Sequence, residues 1–294
     1  MRLLEWNVSD SAWVKSREAS RAMLRHMDPD VLVLVQVAPG IGGAGVRSML
    51  AGLRTPADTT WFVSVRGGSD YEQTIIASRD SLRELPEFGT VTYRTDNSLS
   101  SRAAVPDSGA PVPPRDRVNS VHTNGVLALV GARWVLVAAV HLTCCGSAHS
   151  WREYRRQLGA LEIRDRVRSA ALRTRPAGIV LSGDMNLVTG RAALDTLLGT
   201  LSGSQVGPLT RVDAYQSDGW SAWTWDSRGT PFNGGVLDNV LFSPGSMRVV
   251  RSLVWDTESM SPDTLSAHHL TPDAARSINR HRPVVVDFEL APAP

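Results

Sequence analysis

An α/β fold is the class that this sequence predicts, and three observations carry it. Short apolar runs of strand type recur along the chain. Longer helical stretches alternate with them. The 294 residues suffice for one large domain with a sizeable core, so a single domain over 1–294 is expected.

The first run, Met1 to Val8, carries Asn7 at its end. A helical stretch from Ser16 to Arg25 follows, then the strand Pro29 to Val37 with Gln36 near its end. Glu72 to Arg79 is a third strand, and Trp134 to His141 a fourth that delivers His141 at its end. A helix is expected over Arg152 to Arg173 and another over Arg191 to Leu198. Between them Ile179-Val180-Leu181 reads as a buried strand running into Ser182-Gly183-Asp184-Met185-Asn186. Alternation aims the Asp184 and Asn186 side chains to one side of the strand mouth, where they could orient a nucleophile and hold a phosphoryl oxygen. Alone, Gly-Asp-x-Asn is as easily a turn with an Asx cap. Leu237 to Phe242 is a fifth strand, starting beside Asp238, and Asn279 to Pro283 precede a last one, Val284 to Phe288. Thr95 to Arg117 and Thr257 to Ile278 are read as irregular, the first as a surface loop over the site.

In this order the motifs resemble the endonuclease/exonuclease/phosphatase superfamily, the DNase I-like fold, over almost the whole chain. His141 to Gly146, Gly183 to Val188 and Trp223-Thr-Trp225…Leu237-Asp238 look like one bacterial branch of it. The resemblance implies a four-layer α/β-β/α sandwich of two mainly antiparallel sheets with outer helices. It also implies roles. Asn7 matches the asparagine at the metal and phosphate site, Asp184 the residue that orients or deprotonates water, and Asn186 a phosphate contact. His141 with Glu72, and His281 with Asp238, match two histidine–carboxylate pairs. Arg117 is a weaker match to a phosphate-contacting arginine.

Two positions depart from the family pattern. Its second strand normally ends Leu-Gln-Glu-Val, with Glu as the main Mg²⁺ ligand; here Leu34-Val35-Gln36-Val37 puts Gln36 there. Its closing motif is Ser-Asp-His-x-Pro; here Asn279-Arg280-His281-Arg282-Pro283 puts Arg280 in place of the Asp. Mg²⁺ prefers carboxylates and water. Bringing it within about 5 Å of a guanidinium would cost on the order of 6 kcal/mol at an effective dielectric near 20. Weak or absent metal binding is therefore expected, with no cofactor, and Mg²⁺ held only if other ligands such as Asp213 rescue the site. Arg280 is expected in the metal's position, gripping a phosphate or carboxylate; the plainer alternatives are that Arg280 points to solvent and Gln36 is a structural hydrogen-bonding group.

A net charge of +2 argues against a nonspecific nucleic-acid binder, although such a substrate stays possible. No secretory signal and no apolar run of about 20 residues is visible, so a cytoplasmic protein without a membrane partner is expected. Cys144 and Cys145, the two cysteines, are adjacent; a disulfide between neighbours is strained, and packing as small residues is expected. Trp223 and Trp225 are either core residues or an aromatic wall for substrate. Arg152, Arg155 and Arg156 read chiefly as a solvated helix face, and His122, His149, His268 and His269 as surface or structural residues.

The leading functional expectation is a hydrolase of a phosphoester or phosphodiester with a metal-poor or metal-independent site. Asp184 or His141 would activate water, Asn7, Asn186 and Arg280 would neutralise phosphoryl oxygens, and His281 would act as acid. The alternatives are a biosynthetic enzyme using acid–base catalysis on a small organic substrate, and a noncatalytic binding protein.

Overall fold

The computed structural model describes residues 1–55, 60–67, 72–95, 98–104, 119–201 and 207–292. Among the described residues twelve strands run in chain order: β1 (Arg2–Asp10), β2 (Val31–Val37), β3 (Phe62–Arg66), β4 (Gln73–Ser78), β5 (Leu82–Glu84), β6 (His122–Val130), β7 (Arg133–His141), β8 (Gly178–Asp184), β9 (Thr210–Arg211), β10 (Asp238–Phe242), β11 (Met247–Val254) and β12 (Val284–Leu290). They form two six-stranded sheets, ordered β11-β12-β1-β2-β4-β3 and β5-β6-β7-β8-β10-β9. Each sheet has one parallel pair at its centre, β1/β2 and β7/β8, with antiparallel neighbours on both sides.

Period-two alternation sorts the strand residues into layers. Leu3, Val31, Val33, Val137, Val180 and Val240 pack between the sheets. Leu4, Trp6, Leu32 and Leu34 face outward under a helical layer that includes Arg17–Met27 and Gly42–Leu50. On the other sheet Leu136, Ala138, Ile179 and Leu181 pack against the long helix Trp151–Thr174. That helix starts at Ser150, whose hydroxyl accepts the Glu153 N–H, so Ser150-x-x-Glu153 caps it. The result is the expected α/β-β/α sandwich.

The expected strands and helices are all present within a few residues. Thr257 to Ile278 is more regular than expected: it holds helices Pro262–Ala267 and Ala274–Ile278. Ser261 caps the first by accepting the Thr264 N–H, with Pro262 at its first turn. Of the other loop, Ser98–Ala104 is helical, and 105–118, including Arg117, lie outside the described residues.

The two parallel pairs position the site. Parallel strands end on the same side, so β1, β2, β7 and β8 deliver Asn7, Gln36, His141 and Asp184 to one edge of the sandwich. The antiparallel strands β6 and β10 start at that edge, with His122 and Asp238.

At Gly183 β8 leaves no room for a side chain against β7. Its φ is +147°, and a Cβ there would lie 1.8 Å from the Val140 carbonyl oxygen. Only glycine fits.

Candidate active site

The strand ends surround a cleft of about 770 Å³. Asp184 lies in its floor, 2 % exposed. One carboxylate oxygen, Oδ2, accepts the Asn7 amide at 2.9 Å, and Oδ1 accepts the Asn186 backbone N–H at 2.9 Å. The same Oδ2 lies 3.8 Å from His141 Nε2 and 4.0 Å from His281 Nε2. One carboxylate oxygen therefore sits between two imidazoles. Burial pushes the Asp184 carboxyl above its ordinary range, with Asp238 adding to the rise; the two histidines and the Asn186 N–H pull against it.

Each imidazole is oriented from behind. His141 Nδ1 meets Glu72 Oε1 at 2.6 Å, and His281 Nδ1 meets Asp238 Oδ2 at 2.9 Å. A carboxylate on Nδ1 fixes the tautomer and turns Nε2 toward the cleft. Burial alone would lower the His281 pKa, but Asp238, by charge and by hydrogen bond, and Asp184 outweigh it and raise it. Both histidine–carboxylate pairs stand as the motifs implied.

Other expected residues stand differently. Asn7 is buried and does not line the cleft; its Oδ1 accepts the Ser9 N–H while its amide holds Asp184, so it orients the carboxylate from behind. Asn186 lines the cleft, but its amide donates to the Leu142 carbonyl at 3.0 Å. Arg280 does not take the metal's position. Its Nη1 donates to the Asp226 and Arg228 carbonyls at 3.0 and 2.7 Å, and Arg280 itself is an exposed residue of the cleft wall. Trp225 lines the cleft beside Phe232, with ring centroids 6.4 Å apart. Trp223 does not line it; the Arg282 guanidinium lies 5.4 Å from its ring.

Gln36 reaches the cleft through a bulge. On β2, alternation would send it outward with Leu34. Gln36 instead adopts φ 55°, the pairing with β1 and β4 shifts there, and Val37 takes the outward position.

Four features escaped the sequence reading. His122 is no bystander: its Nδ1 lies 3.1 Å from Glu72 Oε1, the oxygen that holds His141, and it lines the cleft. The hairpin register, which pairs His122 with His141 about the Gly131 turn, was the signal that could have found it. Glu5 is fully buried on the inter-sheet side of β1, with neither carboxyl oxygen hydrogen-bonded. Burial, then Asp238 and Asp184, push its pKa well up. Arg156 is fully buried rather than solvated; it donates to the Thr143 and Cys145 carbonyls at 3.0 and 2.6 Å and pairs with Glu153. Cys144 and Cys145 are joined as a disulfide on the cleft wall, against the expectation of two packed thiols. Cys145 adopts φ 70°, a backbone state that the bound carbonyls around Arg156 hold in place.

Two positions where the resemblance implies Mg²⁺-binding carboxylates hold other residues, Gln36 and Arg280. Gln36 offers a neutral amide, and Arg280, the residue before His281, is a cation of the cleft wall whose Nη1 is held by the Asp226 and Arg228 carbonyls. Among the described residues one group, Asp184, Asp238 and His281, brings donor atoms within 4.8 Å of one another. Within it Asp238 also meets His281 Nδ1.

A family model for the endonuclease/exonuclease/phosphatase family matches residues 4–268, and the chain belongs to that family. Solved structures share the fold. The human Nocturnin catalytic domain with bound sulfate matches with TM-score 0.60 and 14% identity over 99% of this chain and 94% of that one. The Bacteroides thetaiotaomicron mannosyl-6-phosphatase Bt3783 matches with TM-score 0.61 and 14% identity over 98% and 99%. The Neisseria 3′ phosphatase NExo, bound to a product DNA hairpin, matches with TM-score 0.57 and 18% identity over 98% and 99%. No curated protein matches the chain by sequence.

Proposed function

We propose that this protein hydrolyses a phosphoester of a small organic molecule through acid–base catalysis at Asp184, His141 and His281. The observation that carries this reading is Asp184 Oδ2 lying 3.8 and 4.0 Å from two imidazole Nε2 atoms that are each oriented by a carboxylate. A water held by Asp184 would attack phosphorus and pass its proton to Asp184 or to His141. His281, whose proton is held by Asp238 and Asp184, would protonate the departing oxygen. Asp184 and the paired imidazoles serve substrate without a divalent cation in this scheme, and Mg²⁺ affinity is expected to be weak.

Family membership and the two phosphatases among the structural neighbours support phosphoester chemistry. The small-molecule part rests on the cleft wall. Leu187, Val188, Trp225 and Phe232 line it, and such a wall suits an organic group better than a duplex backbone. The same wall would serve a biosynthetic acid–base enzyme on a nonphosphorylated substrate, which is the second reading.

The test is release of orthophosphate from phosphomonoesters and release of alcohol from phosphodiesters by EDTA-treated protein. Asp184→Asn and His281→Gln are expected to lose at least about 100-fold, in the range of a positioned acid or base. No phosphoester turnover, with or without Mg²⁺ and Mn²⁺, would overturn the proposal in favour of the second reading.

A further inference from the structure

The loop from Thr143 to Gly146 leaves the end of β7 beside Asp184: Leu142, just before it, donates its N–H to the Asp184 carbonyl at 3.0 Å. All four loop residues line the cleft. Behind them lies Arg156, fully buried and not part of the cleft lining. Its fork takes two alternate carbonyls of the loop. Nε donates to Thr143 at 3.0 Å and Nη2 to Cys145 at 2.6 Å. Burial lowers the Arg156 pKa against the pull of Glu153 and Asp184, and the guanidinium stays charged.

A trans peptide points its C=O and its N–H in opposite directions, and no peptide bond among the described residues is cis. The Thr143 carbonyl shares its peptide with the Cys144 N–H, and the Cys145 carbonyl with the Gly146 N–H. With both carbonyls drawn inward to one guanidinium, both N–H groups face the cleft side. Neither has a hydrogen-bond partner among the described residues. Cys145 is left-handed at φ 70° and Cys144 is not, the backbone alternation that converges neighbouring N–H groups into an anion-binding concavity. Gly146 completes it: φ is +85°, and a Cβ there would lie 2.5 Å from Ser150 Oγ and 2.9 Å from Arg152 Cβ.

A cation at the carbonyl end of a peptide polarises the N–H at the other end, so these two are stronger donors than ordinary amides. They are also fixed before a ligand arrives. The side chains expected to neutralise phosphoryl oxygens spend donors on the protein instead. Asn7 holds Asp184, Asn186 the Leu142 carbonyl, and Arg280 the Asp226 and Arg228 carbonyls.

We propose that the Cys144 and Gly146 N–H groups form an anion-binding nest for a nonbridging oxygen of the substrate's phosphoryl group, and that Arg156 is the positioning residue that turns them to the cleft. The nest rests on the phosphoester reading above. It supplies oxyanion donors at the His141 end of the cleft and leaves His281 to the departing oxygen.

The chain's two cysteines make the test selective. Labelling with ¹⁵N-cysteine gives two backbone signals, Cys144 and Cys145, and ¹³C-carbonyl cysteine with ¹⁵N-glycine singles out Gly146, because Cys145-Gly146 is the sole Cys-Gly pair. Orthophosphate is titrated into the unaltered protein by NMR, with the His141 and His281 ring signals followed alongside. The Cys144 and Gly146 amide protons are expected to move downfield on one saturation curve with His281, and Cys145 to move less. Arg156→Met is expected to weaken orthophosphate binding by about tenfold or more, the worth of one charge-assisted hydrogen bond, and to abolish the Cys144 shift while His281 still responds. Histidine shifts without the two amides would overturn the nest and leave the phosphoester reading standing. A Cys145 shift equal to that of Cys144 would report a moving loop and overturn the nest. Amide shifts without His281 would overturn the assignment of the nest to the reacting phosphoryl group. Silence of amides and histidines would overturn nest and phosphoester reading together. Because the titration uses the unaltered protein, a variant that fails to fold does not remove the test.

Discussion

Arg282 carries the heaviest electrostatic role in the segment that delivers His281. Its side chain is fully buried, 3.1 Å from Asp226 Oδ2 and 3.0 Å from Asp256 Oδ1. The Nη1 group donates to the Asn279 carbonyl at 3.0 Å, while Nε approaches Asp256 off the hydrogen-bond axis, so that contact is an ion pair. Arg282→Met keeps the aliphatic stem and removes the charge. Asp226 would still be held by Arg228, but Asp256, 1 % exposed, would lose its cation. Removing one partner of a buried pair costs about 3–5 kcal/mol, and the retained Arg228 contact places this case near 3. At about 2 °C per kcal/mol for a chain of this length, the melting temperature should fall by about 6 °C. Adding Asp256→Asn should then recover about 1 kcal/mol or more, because the orphaned charge is gone. Calorimetric melts of the wild type, the single variants and the double variant measure this. A loss below about 1 kcal/mol in Arg282→Met, or a further loss in the double variant, would refute the role assigned to the buried pair.

Four other outcomes follow from the same geometry. Glu5 holds its proton above the ordinary carboxylate range, so its contribution is present at acid pH and is lost as pH rises from the unfolded value; Glu5→Gln should raise the melting temperature by about 2 °C or more at pH 8 and leave it nearly unchanged at pH 4. Asp238→Asn should lower the His281 pKa, read from its ring carbon shift against pH, and an unmoved midpoint would remove Asp238 from that role. Gly183→Ala meets the Val140 carbonyl and should cost more than about 4 kcal/mol, seen as loss of soluble protein or of its cooperative melt. Calorimetry should find no Mg²⁺ binding below millimolar concentration in wild type and measurable binding in Gln36→Glu; submicromolar affinity in wild type would contradict the reading of the donor set.

What could be read in the sequence were the features that short-range pattern determines. Apolar runs gave the central strands, and Asp184, His141, Asp238 and His281 could be found because each stands next to such a run. What escaped it depends on register and on local breaks in alternation. His122 needed the β6/β7 pairing, and the outward-to-inward turn of Gln36 needed the bulge at φ 55°. Asn7 was recognised as a site residue, but only the packing of one sheet on the other shows that it grips Asp184 from behind. Arg280 and Arg282 alternate in the sequence, and nothing local says that the first clamps a loop while the second is buried between two aspartates. The disulfide at Cys144–Cys145 lies where a buried arginine in the second turn of the following helix holds the Cys145 carbonyl.

The seating of β12 between β11 and β1 sets an order of events for a growing chain. Trp6 donates to the His281 carbonyl, Asn279 donates to the Asn7 carbonyl, and the amino terminus donates to the Phe288 carbonyl. While a ribosome still holds residues near 280, β1 lacks one edge partner, and Asp184 has no second imidazole beside it. The arrangement about Asp184 is therefore complete only once the β12 segment is seated. Contacts of such long sequence separation also make that step slow relative to local helix formation. Hydrogen-exchange protection of the β1 and β12 amides in a refolding experiment would then report completion of that sheet, arriving after the helices have formed.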